Sequence, residues 1–595
     1  MSSIVATRLG RSRIALLLLP LLMAGCTGKS DGGNASNGGG GGGATPSVKV
    51  DTAGMLKTDA TGKFGGRFTD ATNAEPKTFN FIISKETSSS IPLSQVFDGL
   101  ISRNPKTLAI DPDLAESWTT SPDGKTWTFK LRQGIKWSDG QPFSADDVVF
   151  TLSVIFDEKV DTTLRDVMKI NGKPWAYKKI DDSTVQIDLP EPLGVFFEVA
   201  QFPILPKHKL ESAWKAGKFN STWGVDTNPA ELVGTGPFTL AGYRVGESLT
   251  FKRNPYYWRL DASGKQLPFF DGGVTQVVPD LNTVILKFKS KETDYVALRP
   301  EDWKGMQADE ASGGYKTVDN GPTWGFTYLG FNQNARATAV PDYKRAWFSK
   351  KEFRQAVSYA IDRDAMVQTV FRGLGVPLWS PVSTANTAFY DPNVKKYPHN
   401  PAMAKQLLAG LGMTDKSGTG MLVDSAGHPV EFTLFAASGN NISAAICTLI
   451  QDNLKQVGIK VDVTPMQFNA LVTKINGSFD WEAVVLGFTG GVEPYTGKSI
   501  WTSPGRMHVW NPQEATPATP WEADIDKIFA AAGKETDTAK RKVLYNQFQE
   551  IVGEQQPIIF LVTAKSLGAI RNRMVGMKPN ALGGFRWNMY EISAQ

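Results

Sequence analysis

The sequence predicts an α/β protein of two or three domains with a β-rich portion in its first half. Three observations carry this. The chain has 595 residues, more than one hydrophobic core usually serves. In "SPDGKTWTFKLRQGIKWSDGQPF", Trp127, Phe129 and Leu131 alternate with Thr126, Thr128, Lys130 and Arg132, the period of a half-buried strand. In the second half, helical and strand periods follow one another in turn.

The N-terminus comes first. Arg8, Arg11 and Arg13 precede an apolar run from Ile14 to Met23 and then "LLMAGC". That run is too short to span a bilayer and suits the h-region of a secretory signal. Ala24 and Gly25 before Cys26 resemble the lipobox of bacterial lipoproteins, with Met23 where leucine is usual. Residues 1–25 are therefore read as a lipoprotein signal peptide and Cys26 as the lipidated residue. "TGKSDGGNASNGGGGGGATPS" follows, and residues 26–61 read as a Gly-rich flexible tether with a reach of roughly 30–35 Å. No later stretch approaches the roughly 18 apolar residues of a spanning helix. With Cys26 lipidated, Cys447 stands alone, beside Ile446 on a helical pattern, and reads as buried and inert.

Further along, "GGRFTDATNAEPKTFNFI" reads as a strand and an irregular loop. "SPDG" and "SDG" supply turns around the alternating strand. Ser144 with Asp147 makes an N-cap pattern, and Val148, Leu152 and Ile155 form the apolar face behind it. Glu352 to Phe371 holds two helical patterns, with Asp362 an N-cap between them and Gly373 a stop. Asn400 and Pro401 open a helix carrying Leu407, Leu408 and Leu411, stopped by Gly412. "NISAAICTLIQDNLKQVGIKVDV" is a helix ended by Gly458 and followed by a strand. "WEAVVLGF" and "QQPIIFLVTAKS" are further strands.

Catalytic patterns are missing. The four histidines, His208, His399, His428 and His508, are isolated in sequence. There is no H-E-x-x-H, C-x-x-C, G-x-S-x-G or phosphate-binding glycine loop. The acid pairs Asp146–Asp147 and Asp111/Asp113 sit in turns or caps and read as solvated. The formal charge of +5 is too small, and too evenly spread, for nucleic acid. The expectation is a binding protein, not an enzyme, with no cofactor and no metal.

At Leu114 to Leu152, "LAESWTTSPDGKTWTFKLRQGIKWSDGQPFSADDVVFTL", the chain resembles the family 5 extracellular solute-binding proteins, the peptide, nickel and oligosaccharide receptors of ATP-driven (ABC) importers. Further landmarks are "EPKTFN", "ILPKHKLE", "VGTGPFTL", "RNPYYW", "YLGFN" and "FRQAVSYAIDRDAMV". The resemblance implies a two-lobed periplasmic-binding-protein-like fold with an extra inserted domain. Domain I would be 62–90, 204–331 and 559–595, domain II 91–203, and domain III 332–558, with a hinge at Asn332 and Pro557. It also implies an ABC permease/ATPase complex as partner, a monomer, and a place outside the cytoplasm, held to the membrane by the lipid.

"VVLGFTGGVEPYTGKSIW", Val484 to Trp501, matches the stretch where the family's peptide receptors carry an Asp that pairs with the peptide ammonium. Here Gly490 and Gly491 stand where that acid is expected, and Glu493 precedes the proline. The resemblance therefore implies a ligand without an obligatory positive end, an oligosaccharide or glycoside. Trp324, Trp379, Phe488 and Trp501 are the candidate flat faces, each equally a candidate for the core. The alternatives are an oligopeptide with Glu493 as a shifted ammonium partner, a metal chelate, or a secreted sensor or hydrolase using the same cleft.

Overall fold

A computed structural model describes residues 54–595. The signal peptide, Cys26 and most of the tether lie outside the described residues. The end of the tether is docked: Leu56–Lys57 pairs in parallel with Arg259–Leu260, and the Thr58 amide donates to Leu260 O at 2.8 Å. Leu56 to Thr58, expected to be part of a flexible tether, are thus paired with the body.

The mixed α/β architecture is built on four main sheets. One has the order Arg67–Thr72, Gly272–Val277, Ser248–Arg253, Phe238–Arg244. Its first strand is held by a buried network in which Arg586 donates to Asp70 Oδ2 (2.8 Å from Nε) and to Thr275 Oγ1 (2.7 Å), so the C-terminal segment closes on the N-terminal strand. A second, antiparallel sheet has the order Ala115–Thr120, Thr126–Leu131, Thr184–Asp188, Ala176–Asp181. Phe129 and Leu131 are buried as the alternation predicts, and half-buried Trp127 stacks on Phe196 at 4.3 Å.

The third sheet centres on Val562–Arg571, which pairs with Tyr295–Ala297, Tyr315–Pro322 and Gly375–Pro377. The fourth runs Lys460–Met466, Glu431–Ala437, Ala483–Phe488, Phe326–Phe331, Ile558–Phe560. Leu329, Phe331, Phe432, Leu434 and Val485 of this last sheet belong to one core with helices Lys351–Ala360 and Asn441–Gln456. Phe326, Tyr328 and Val484, on its other face, join the largest core, which continues into the inserted sheet.

Consecutive strands 315–322 and 326–331 belong to different sheets, as do 558–560 and 562–571. The chain therefore crosses between the third and fourth sheets at residues 323–325 and at Leu561. Asn332 and Pro557, where the hinge was expected, lie at the far ends of the two crossing strands. The Asn332 amide is tied inside the fourth sheet's lobe, donating to Phe479 O and Trp481 O at 2.8 Å each.

Local signals are realised residue by residue. Asp362 accepts from Ala365 N, Asn400 from Met403 N with Pro401 at N1, and Gly412 and Gly458 take positive φ. Cys447 is fully buried, and burial raises its thiol to about 12, so the thiolate is negligible near neutrality. Two acids depart from expectation. Asp113 and Asp147 are buried rather than solvated. Asp113 pairs with Arg259 at 2.9 Å.

Asp147 completes the capping box of helix Ala145–Phe156 by accepting from Ser144 N. Its carboxylate also accepts from Trp137 Nε1 and from Lys207 N, at 3.2 and 2.9 Å. It thus ties the turn, the helix and the chain leaving the inserted sheet. Replacing it strands three donors at about 1 kcal/mol or more each, so Asp147→Ala is expected to lose about 3 kcal/mol in urea denaturation.

Candidate functional site

The antiparallel pairing of Phe326–Phe331 with Ala483–Phe488 brings Phe488 opposite Phe326. Beyond Phe488 the chain leaves the sheet and turns back over the 323–325 crossing. A Cβ on Gly490 would lie 1.7 Å from Trp324 O, and one on Gly491 2.6 Å from Thr496 Oγ1. Glycine at 490 is therefore a clearance requirement, since no side chain fits against that carbonyl. Asn386 Nδ2 donates to Gly491 O and Val492 O at 3.2 and 2.9 Å, and Ser383 Oγ donates to Thr323 O at 2.6 Å. Loop and crossing are thereby held against one segment.

These elements form one wall of a cavity of about 440 Å³, within the usual range for small-molecule sites. Trp324, Phe326, Ser383, Asn386, Phe488 to Gly491, Thr496 and Trp501 line it, facing Phe81 to Ser90 and residues around Val167 and Glu198. Six of the seven ligand candidates, Trp324, Phe488, Gly490, Gly491, Glu493 and Trp501, meet at this cavity. Trp379 does not line it; its ring lies 5.8 Å from the Arg363 guanidinium. Phe488 stacks on Tyr328 at 5.1 Å. Trp501 is almost wholly buried, packed against Phe326, Trp510, Phe548 and Phe560, and is mainly core.

Glu493 begins the turn Pro494–Gly497 with its main chain, while its carboxylate is 3% exposed. It accepts from Arg541 Nε at 3.3 Å, a residue of helix Thr538–Gln555 that also donates to Glu535 O and Thr536 O. Burial raises the Glu493 carboxyl, and the Arg541 charge and the Tyr545 hydroxyl oppose that rise. The other charged side chains lining the cavity are engaged as well, Lys85 and Glu198 in ion pairs and Glu86 by neutral donors only. Lys85 pairs with Asp161 at 2.7 Å, Glu86 with the Ser89 hydroxyl, and Glu198 with Arg103.

A second cavity of about 860 Å³ adjoins the first, sharing Phe81, Glu198, Gln201, Gly491 and Thr496. Within it Arg259 is flanked by Trp258 and Tyr590 and paired with Asp113. Burial, then the Asp113 charge, raise Asp98 to about 7. Among the described residues no histidine lines either cavity, which leaves a metal chelate without an imidazole contact. Ser383, Asn386, Glu198 and Arg541 were not visible as site residues in the sequence, because each comes to this region from a distant segment with no motif around it; Thr496 lies in the loop itself but has no signal of its own.

The comparisons agree with this architecture. Residues 109–507 match the bacterial extracellular solute-binding proteins, family 5 (middle region). The chain belongs to this family. It is a solute-binding protein and not an enzyme. A relative described as a probable ABC transporter-binding protein, from Deinococcus radiodurans, is 33% identical over 536 residues, covering 86% of this chain and 89% of the relative. The oligopeptide-binding protein AppA of Bacillus subtilis is 25% identical over 547 residues, 90% of this chain and 93% of AppA. The structure of AppA in complex with a nonapeptide superimposes with a TM-score of 0.76, covering 90% of this chain and all of that one. The periplasmic binding protein MelB of Agrobacterium fabrum C58, in complex with stachyose, gives a TM-score of 0.78 at 21% identity, covering 91% and 86% of the two chains, and shares the two-lobed fold.

Contacts between the inserted part and the 494–534 segment border the cavity. Asp166 accepts from Ser499 Oγ at 2.7 Å and pairs with Arg506 at 2.5 Å. Lys498 Nζ donates to Lys169 O at 2.8 Å.

Two predictions arise from this geometry. Gly490→Ala is expected to lose about 1–3 kcal/mol in denaturation because a main-chain oxygen must move. Gly410→Ala, with nothing within 4 Å, is the control and loses none. The second concerns Lys498, whose ammonium burial lowers from its ordinary 10.5 to about 8. Between those two values the unfolded chain binds the more protons, so stability rises with pH across that window. The melting temperature of the wild type should climb relative to Lys498→Met from about pH 8 to 10.5 and stay parallel to it below.

Proposed function

We propose that this protein is the solute receptor of an ABC importer and that its ligand is an uncharged oligosaccharide or glycoside, bound in the cavity beside the Gly490–Gly491 loop. One observation carries this reading: the Glu493 carboxylate, the only acid of the loop, is already engaged by Arg541. A peptide ammonium taken out of water needs a charged partner; Glu493, Glu198 and Lys85 are already in ion pairs, and Glu86 is held by two neutral donors, the Ser89 hydroxyl and the Lys85 amide. Apart from Glu86, what remains facing the ligand space is aromatic and neutral polar, namely Trp324, Phe488 and the Ser383, Asn386, Thr489 and Thr496 groups. Flat rings suit the CH faces of a sugar, and amides and hydroxyls suit its hydroxyls.

In this reading the N-terminal Cys26 carries the lipid, the glycine-rich segment lets the body float outside the cytoplasmic membrane, and a monomer docks on the permease/ATPase complex. Domain I holds the first and third sheets, domain II the inserted sheet and domain III the fourth. The lobes turn about the two crossings at 323–325 and Leu561, and ligand favours the closed state by binding it more tightly.

A second reading, an oligopeptide receptor, rests on the two adjoining cavities that share five lining residues, a longer space than a small sugar needs, and on the similarity to AppA. There Glu493 would have to exchange Arg541 for the peptide ammonium.

Calorimetry on the ligand-stripped protein separates the two. Neutral oligosaccharides are expected to bind saturably and quench tryptophan fluorescence. Trp324→Ala or Phe488→Ala should weaken binding at least tenfold, roughly 1.4 kcal/mol, and Trp379→Ala should leave it unchanged. Saturable binding of di- to pentapeptides with silence toward sugars at millimolar concentration overturns the sugar reading in favour of the second.

A further inference from the structure

His508, Glu514 and Glu522 are far apart in character from the cavity they stand behind. All three are buried, His508 completely, and their ligand atoms lie within 4.8 Å of one another. His508 Nδ1 is 2.9 Å from Ile500 O. A carbonyl can only accept, so Nδ1 carries the hydrogen and Nε2 of the neutral ring presents its lone pair. That Nε2 has no hydrogen-bond partner; the nearest carboxylate oxygen, Glu522 Oε1, is 3.7 Å away.

The two carboxylates are oriented by neutral donors. Trp510 Nε1 and Thr519 Oγ1 donate to Glu522 at 2.9 and 2.7 Å. Asn511 Nδ2 and Ala518 N donate to Glu514, the latter at 3.1 Å. Among the described residues no Lys or Arg forms an ion pair with either acid. Two buried carboxylates with an aimed, unpartnered imidazole nitrogen form an anionic pocket without its cation, an expensive arrangement in a low-dielectric wall.

We infer that His508, Glu514 and Glu522 form a binding site for one divalent first-row metal cation, zinc being the natural probe. Bonds of about 2.0–2.2 Å to nitrogen and carboxylate oxygen space donor atoms about 3–4 Å apart; His508 and Glu522 stand at 3.7 Å and all three ligand atoms within 4.8 Å of one another, so a cation draws Glu514 inward. One imidazole and two carboxylates, with no thiolate, suit zinc, manganese, cobalt or nickel rather than a soft monovalent ion. Neutral donors on the ligands' outer atoms are the usual support of such a centre. The cation joins the irregular stretch carrying His508 and Glu514 to the first turn of helix Pro520–Lys534. Through the His508–Ile500 hydrogen bond it also steadies Ile500, Trp501 and Met507, which line the cavity. Its role is to stiffen the cleft wall; the ligand itself does not touch it. The arrangement does not depend on which solute the cleft holds.

The test uses the full chain, stripped with chelator, dialysed and titrated with zinc chloride in a calorimeter, with metal analysis of the product. One equivalent per chain is expected, with Glu514→Gln and Glu522→Gln each weakening binding at least 100-fold. X-ray absorption of the zinc-loaded wild type, which needs no variant, should show one imidazole nitrogen among oxygen neighbours. The inference is overturned if folded protein binds neither zinc, manganese, cobalt nor nickel saturably, which would make His508 a simple partner of Glu522. It is equally overturned by zinc binding that survives both glutamine substitutions or by a spectrum without imidazole.

Discussion

The Arg541 guanidinium sits in the wall behind the cleft, where water cannot balance its charge, and Glu493 is the carboxylate that does so. Much of the local architecture follows from keeping those two groups together. The loop after Phe488 must descend far enough to bury an acid, which it does by pressing Gly490 against the Trp324 carbonyl. The helix 538–555 must begin beside it, and the Asp537 cap fixes that start by accepting from Ala539 N and Lys540 N. Removing either charge would leave the other buried alone, which costs more than the pair gains. The pair therefore acts less as a source of stability than as a constraint on which charges face the solute.

A second constraint is topological. The strand 562–571 binds three other strands, and the strand just before it, 558–560, belongs to another sheet. Together with the neighbouring run 315–331, whose two strands also lie in different sheets, it makes two side-by-side passages between sheets. The passages are held to each other by main-chain hydrogen bonds, Thr323 N to Ala564 O at 2.8 Å and Leu561 N to Thr327 O at 2.9 Å. The cavity wall at 323–325 thus lies beside both passages between the third and fourth sheets.

Much of this was legible in the chain itself, and the division is physical. Caps and stops are local: Ser144 with Asp147, Asp362, Asn400 with Pro401, and Gly458 announce themselves within four residues because the groups they satisfy are that close. The family pattern from Leu114 to Leu152 disclosed the inserted sheet. Long-range pairing left no such mark. Arg541 lies 48 positions beyond Glu493, and the burial of Asp113 and Asp147 depends on Arg259 and Lys207, far along the chain. The crossing at 323–325 leaves no mark in the sequence because both flanking segments are extended; only their partners differ. Trp379 shows the converse, an aromatic flagged by type that turns toward Arg363 instead of the cavity.

The glycine at 490 also bears on descent. A receptor with an acid at this point and one with the present loop are not related by exchanging that one side chain alone, because the Trp324 carbonyl occupies the space. The loop's path had to change first or together with it.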